Sequence, residues 1–139
     1  MSRLSIDLKF HHFGLATRDA EETRRMLTLL GYELAEPIFD PLQNVNLIWC
    51  EQPSMPAIEV VYPSDTPGPL DSYLAEFPQL VYHLCYVAPD IQIAADEIKS
   101  AGQRLLTVVA PQPAVLFGGR EVAFYLAKGL GLIEILEEK

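Results

Sequence analysis

The sequence contains few cysteines and no long hydrophobic run. Only Cys50 and Cys85 occur in 139 residues. Both lie in apolar, strand-like stretches, which favours buried, reduced core residues over a disulfide or a catalytic thiol. No apolar segment approaches transmembrane length, and the first ten residues lack the apolar core of a signal peptide. We therefore expect a cytoplasmic protein.

Positive charge is also scarce. Ten Lys and Arg residues stand against 19 Asp and Glu residues, which gives a net charge of −9. This balance argues against nucleic acid or an anionic membrane surface as a partner. An anionic substrate would need a local positive site, such as a metal ion. The length predicts one domain over residues 1–139.

Landmark residues recur along the chain at a constant offset. The stretch HHFGLATRD, residues 11–19, resembles YHLCYVAPD, residues 82–90. Three pairs are about 71 residues apart: His12 and His83, Asp19 and Asp90, and Gly31 and Gly102. Matched landmarks at one offset indicate an internal duplication. It predicts a first module over residues 1–63, a linker over 64–79 and a second module over 80–139.

Each module predicts the order βαβββ. The first strand, residues 8–17, precedes a helix that Asp19 caps, with Glu22 completing a capping box, and that Gly31 ends. A short extended piece from Leu34 is interrupted by Pro37. The other predicted strands cover residues 45–50 and 57–62, then 80–87, 104–109, 115–117, 121–126 and 132–136. Asp90 caps the second helix, Gly118-Gly119 predicts a hairpin turn, and residues 70–77 predict a short linker helix.

Each module places a histidine in its first strand and a glutamate in its last. His12 and Glu59 are 47 residues apart, and His83 and Glu134 are 51 apart. A carboxylate in an apolar strand costs several kcal/mol if it is buried without a partner. A single strand histidine is usually a satisfied core or surface residue, and a single strand glutamate commonly faces water. Four polar interruptions at corresponding positions favour one shared divalent cation instead.

These motifs resemble those of the vicinal oxygen chelate superfamily, which includes glyoxalases, bleomycin-resistance proteins and dioxygenases. The methylmalonyl-CoA epimerase-like branch is the most similar, on the stretches HHFGLATRD, IEVVYP, YHLCYVAPDI and GLIEILEE. The resemblance implies an α+β fold of two tandem βαβββ modules in an open, U-shaped mixed sheet around a metal. It assigns His12, Glu59, His83 and Glu134 as ligands, and it implies a homodimer.

The resemblance also implies a metal-dependent isomerase, epimerase or lyase. Such an enzyme transfers a proton α to a carbonyl or thioester through a metal-stabilised enolate. The substrate would be a small acyl thioester or an α-hydroxy carbonyl compound. The donor set suits zinc, nickel, cobalt or manganese. Glu134 or Glu59 could leave the metal and act as the catalytic base.

One position departs from the epimerase pattern. Epimerases of this branch carry a non-ligand glutamate on the third strand as a second base, whereas this chain has Leu47 there, or Asn46 after a one-residue slip. Neither side chain accepts a proton. A non-enzymatic, antibiotic-type binding protein is therefore an alternative, although such relatives typically lack the metal residues. A dioxygenase, with two histidines and one carboxylate, is a third possibility.

Overall fold

The computed structural model describes residues 2–139, which form two compact units. The N-terminal unit is His12–Tyr82. The C-terminal unit contains His83–Lys139 together with residues 2–11. The predicted single domain, with its module and linker boundaries, remains a prediction. Within residues 2–139, no helix has the length and apolar character needed to span a membrane.

The N-terminal unit is built on a mixed sheet. Its elements are β1 (Lys9–Thr17, which begins before the unit), α1 (Ala20–Leu29), β2 (Glu33–Leu34), β3 (Ile38–Asp40), β4 (Val45–Gln52), β5 (Met55–Pro63) and α2 (Asp71–Glu76). The strand order is β2-β4-β5-β1, and β3 also pairs with β4. β1 runs parallel to β5, while β4 is antiparallel to it. Because β2 and β3 both pair with β4, they are two pieces of one strand, interrupted at Pro37.

The C-terminal unit repeats this arrangement. Its elements are β6 (Gln79–Ala88, which begins before the unit), α3 (Ile91–Ser100), β7 (Leu105–Pro113), β8 (Glu121–Ala127) and β9 (Gly131–Glu137). The strand order is β6-β9-β8-β7, with β6 parallel to β9 and the other pairs antiparallel. In both units the last strand therefore lies parallel to the first. The predicted α+β class, with open mixed sheets and a duplicated βαβββ order, is confirmed.

One face of each sheet forms a core beneath its helix. In the N-terminal unit, Leu27 and Tyr32 pack on Ile48, Cys50 and Val60. In the C-terminal unit, the α3 residues Ile91, Ala94 and Ala95 belong to one buried cluster with Ala123, Tyr125, Ile133 and Ile135. Because side chains alternate along a strand, the residues between these strand positions point to the opposite face. We call that opposite face, which carries Glu59 in one unit and Glu134 in the other, the site face.

The two predicted N-caps are present, but the capping box is not. Asp19 Oδ1 accepts a hydrogen bond from the Glu22 N–H at 3.0 Å, and Asp90 Oδ1 accepts one from the Ile93 N–H at 2.9 Å. The Glu22 side chain forms an ion pair with Arg25 rather than returning to Asp19. The Asp19 N–H donates to Thr17 Oγ1 instead, at 3.2 Å.

The prediction of a strand over 115–117 was wrong. Val115–Phe117 is a 3₁₀ helix, and β7 continues through the predicted loop as far as Pro113. Because β7 lies at the sheet edge, prolines can occur in it with little loss of pairing. The turn at Gly118-Gly119 exists, with both φ angles positive, but it follows the 3₁₀ helix instead of joining two strands.

Candidate metal centre

The N-terminal unit pairs His12 with Glu59. Glu59 on β5 pairs with Gly14 on β1, and His12 precedes Gly14 by two residues. The His12 Nε2 atom lies 3.7 Å from Glu59 Oε1. His12 is fully buried, and 4% of the surface of Glu59 is exposed to solvent. An imidazole and a carboxylate are therefore held together away from water.

The C-terminal unit pairs His83 with Glu134 in the same way. Glu134 on β9 pairs with Cys85 on β6, and His83 likewise precedes Cys85 by two residues. The His83 Nε2 atom lies 3.1 Å from Glu134 Oε1, and each residue is 2% exposed. The repeated sequence thus places a histidine and a glutamate at the same strand positions in both units.

The spacing within each pair suits two ligands of one metal ion. Two donor atoms that are each about 2.1 Å from a tetrahedral or octahedral ion lie roughly 3.0–3.4 Å apart. The separation in the His83–Glu134 pair is within this range, and that in the His12–Glu59 pair is a few tenths of an ångström wider. Buried imidazole and carboxylate donors also suit the borderline divalent ions predicted from the sequence.

An aromatic ring contacts the histidine in each unit. Trp49 on β4 is directly opposite Glu59, and its ring centroid lies 5.2 Å from that of His12 at an interplanar angle of 85°. Phe124 on β8 is directly opposite Glu134, and its centroid lies 5.2 Å from that of His83 at 83°. Sequence reasoning missed both residues. The repeat could have identified them, because each precedes its glutamate by ten residues.

The structure resolves which residue of β4 faces the site. Leu47 lies two residues from Trp49 on the site face, opposite Val61, and is buried. Asn46 lies on the other face by alternation, and its side-chain N–H donates to the Pro63 carbonyl at 3.2 Å. The β4 positions nearest Glu59 on the site face, Leu47 and Trp49, therefore offer no proton acceptor.

Both cysteines are buried, as predicted, and neither forms a disulfide within residues 2–139. Cys50 packs beneath α1, where burial raises the pKa of its thiol to about 12. Cys85 is on the site face, in a cluster with Val122, Phe124 and Leu136. A thiol with so high a pKa is a poor nucleophile, so Cys50 is a core residue.

Known proteins match most of the chain. Residues 11–124 match a family model described as the glyoxalase/bleomycin resistance protein/dioxygenase superfamily. An "Ethylmalonyl-CoA/methylmalonyl-CoA epimerase" of Cereibacter sphaeroides is 29% identical over 118 residues, which cover 84% of this chain and 86% of that protein.

Solved structures share the fold at lower identity. A methylmalonyl-CoA epimerase from Mycobacterium tuberculosis aligns with a TM-score of 0.79 at 17% identity, covering 100% of this chain and 93% of that chain. A Streptomyces coelicolor methylmalonyl-CoA epimerase in complex with 2-nitronate-propionyl-CoA aligns with a TM-score of 0.66 at 20% identity, covering 97% and 98%.

Proposed function

This chain belongs to the glyoxalase/bleomycin resistance protein/dioxygenase superfamily as a glyoxalase- and epimerase-like enzyme, and on that premise we propose that it is a metal-dependent acyl-CoA epimerase. The observation that carries the proposal is the duplicated pair of buried histidine and glutamate side chains. Similarity to an ethylmalonyl-CoA/methylmalonyl-CoA epimerase supports a small acyl-CoA thioester as the substrate.

His12, Glu59, His83 and Glu134 would bind one divalent ion together. Two imidazole nitrogens and two carboxylate oxygens suit zinc, nickel, cobalt or manganese better than calcium, which prefers an all-oxygen shell. When bound, such an ion would polarise the thioester carbonyl and so acidify the α-carbon. The support is the buried histidine–glutamate pair in each unit, with donor atoms 3.1 Å apart in the C-terminal unit and 3.7 Å apart in the N-terminal unit.

The proton would be moved by one of the two glutamates. Glu134 and Glu59 are the carboxylates of the proposed ligand set, and Leu47 provides no second base on β4. A glutamate that leaves the ion could accept the α-proton and return it to either face of the planar carbon. The reaction would then depend on one mobile base rather than two fixed ones. The isomerase and lyase alternatives predicted from the sequence would begin with the same proton abstraction.

A non-enzymatic binding protein is the second candidate. One observation favours it, namely that Leu47 is apolar and buried. The family resemblance leads us to expect a second base at this position. Binding and chemistry are separable, since a binding protein would hold an acyl-CoA without exchanging its α-proton.

A homodimer and a cytoplasmic location also stay predictions, the latter resting on the two cysteines outside disulfides.

The decisive experiment measures solvent deuterium exchange at the α-carbon. Metal-loaded protein in D₂O should incorporate deuterium into methylmalonyl-CoA or ethylmalonyl-CoA, as followed by mass spectrometry, and chelator-treated protein should not. The His83→Ala variant is the control for a contaminating epimerase. We expect it to exchange at least ~10²-fold more slowly, because a lost ligand weakens binding of an ion whose charge stabilisation is worth several kcal/mol. Tight binding of an acyl-CoA without exchange would instead establish the binding protein.

A further inference from the structure

We propose that Trp49 and Phe124 are positioning residues, which hold the imidazole rings of His12 and His83 in the orientation needed for metal binding. The inference rests on the proposed metal centre and adds to it two residues that contact the histidine rings. Neither aromatic side chain has a metal-binding atom. Each would act only through the histidine that it contacts.

A packed neighbouring side chain can fix the orientation of a histidine ring. Rotation about the bond between the Cβ atom and the imidazole is broad and roughly two-fold, so a loosely packed ring presents different atoms to the same point. In both pairs it is the Nε2 atom that faces the glutamate, at 3.7 Å in the N-terminal unit and 3.1 Å in the C-terminal unit. If the imidazole ring were rotated by 180°, a carbon atom would face the glutamate in place of Nε2.

The aromatic contacts are suited to restrict that rotation. Both have centroid distances of 5.2 Å and interplanar angles of 85° and 83°, an edge-on arrangement inside the favoured 4.5–7 Å range. Phe124 is itself 4% exposed and belongs to one buried cluster with Cys85 and Val122, so the surrounding side chains restrict its ring. Aliphatic side chains at these positions would fill less of the space beside the imidazole.

The duplication makes a chance contact improbable. Trp49 and Phe124 each lie directly across from the glutamate of their own pair, and each contacts the histidine of that pair. Different aromatic residues thus occupy one equivalent position in two diverged halves. Both positions place a flat aromatic ring beside an imidazole. The residues that flank these positions in the sequence differ between the two halves.

The Phe124 contact is tested against a matched control on the same strand. Phe124→Leu should weaken the affinity for Co²⁺ roughly tenfold, the low end for residues that support metal ligands. Tyr125→Leu removes a buried ring from the opposite face of β8 and should leave the affinity within about twofold. Affinity is read from quenching of Trp49, the one tryptophan of the chain, and by competition with a chelator.

The Trp49 contact is tested by a conservative rescue. Trp49→Phe installs the ring found at the equivalent position of the other half and should retain Co²⁺ affinity within about twofold, whereas Trp49→Leu should lose roughly tenfold. Chelator competition serves for both variants because they lack tryptophan. Equal affinity of Trp49→Leu and Trp49→Phe, or of Phe124→Leu and Tyr125→Leu, would overturn the positioning role.

The positioning role can also be judged without metal. In chelator-treated protein, nitrogen–proton NMR correlations of the His83 ring should show one orientation in the wild type and in Tyr125→Leu, but averaged signals in Phe124→Leu. Unchanged His83 signals in Phe124→Leu would refute positioning. A wild-type protein that binds no ion would refute the metal centre, while these NMR spectra would still decide the role of Phe124.

Discussion

At the residue scale, the two glutamates differ in how closely they approach their histidines. Glu134 lies within hydrogen-bonding distance of His83, whereas Glu59 is further from His12 and its side chain is slightly more exposed. Both are nevertheless buried among apolar strand residues. A carboxylate in such a place can bind an ion and accept a proton, and substitution by glutamine separates the two roles.

Glu134→Gln should retain much of the bound metal and lose α-proton exchange by ~10²-fold or more. Glutamine keeps a carbonyl oxygen for the ion but cannot accept a proton near neutral pH, and a general base usually contributes this much to the rate. Metal content and deuterium incorporation are measured on the same sample. Exchange at the wild-type rate would transfer the role of base to Glu59, and Glu59→Gln is the matched variant that checks it.

How far single residues could be predicted depends on how unusual they are in a strand. His12, Glu59, His83 and Glu134 were found because a polar side chain in an apolar strand needs an explanation. The structure pairs each histidine with the glutamate of its own half, while their sharing of one ion stays a prediction. Trp49 and Phe124 were missed because an aromatic residue in a strand is typical of any core, and only the strand register shows what it contacts.

At the element scale, the two helices begin in matching ways. Asp19 and Asp90 each accept a hydrogen bond from the backbone N–H three residues later, which satisfies one of the unpaired donors at a helix start. Both caps follow directly from the first strand of their unit. They therefore fix where the chain leaves the strand that carries the histidine.

Removal of one cap should cost a measurable part of the stability. Asp90→Ala should lower the free energy of unfolding by about 1 kcal/mol, the usual value for a lost N-cap. Asp96→Ala in the same helix leaves the cap intact, removes the hydrogen bond from Gln92 Nε2, worth about 0.2–0.5 kcal/mol, and is the control. Urea denaturation measures both. Equal losses would show that the Asp90 side chain does not stabilise the start of α3.

The elements that could be predicted are those with strong local signals. Caps, the linker helix and the short apolar runs of β4, β5 and β9 placed most elements within a few residues. The region around Val115 was mispredicted because its length and apolar residues suit a strand, whereas the extension of β7 through Pro111 depends on an edge position. Position within a sheet is a property of the tertiary structure and is not encoded locally.

At the scale of the whole molecule, the duplication explains why the polar residues occur in corresponding places. Each unit builds the same parallel contact, β1 with β5 and β6 with β9, and each contact holds one histidine and one glutamate. A single pair supplies only two donors, fewer than the four ligands usual for a stable site. The central claim is therefore that both pairs serve one ion.

The measurement that tests this claim most directly is the metal content of the purified protein. Elemental analysis of protein prepared without chelator should find one divalent ion per wild-type chain. His12→Ala in one unit and His83→Ala in the other should each remove most of it, because a shared site loses a ligand in both cases. Two ions per wild-type chain, falling to one in either variant, would contradict the claim, since each pair would then hold its own ion.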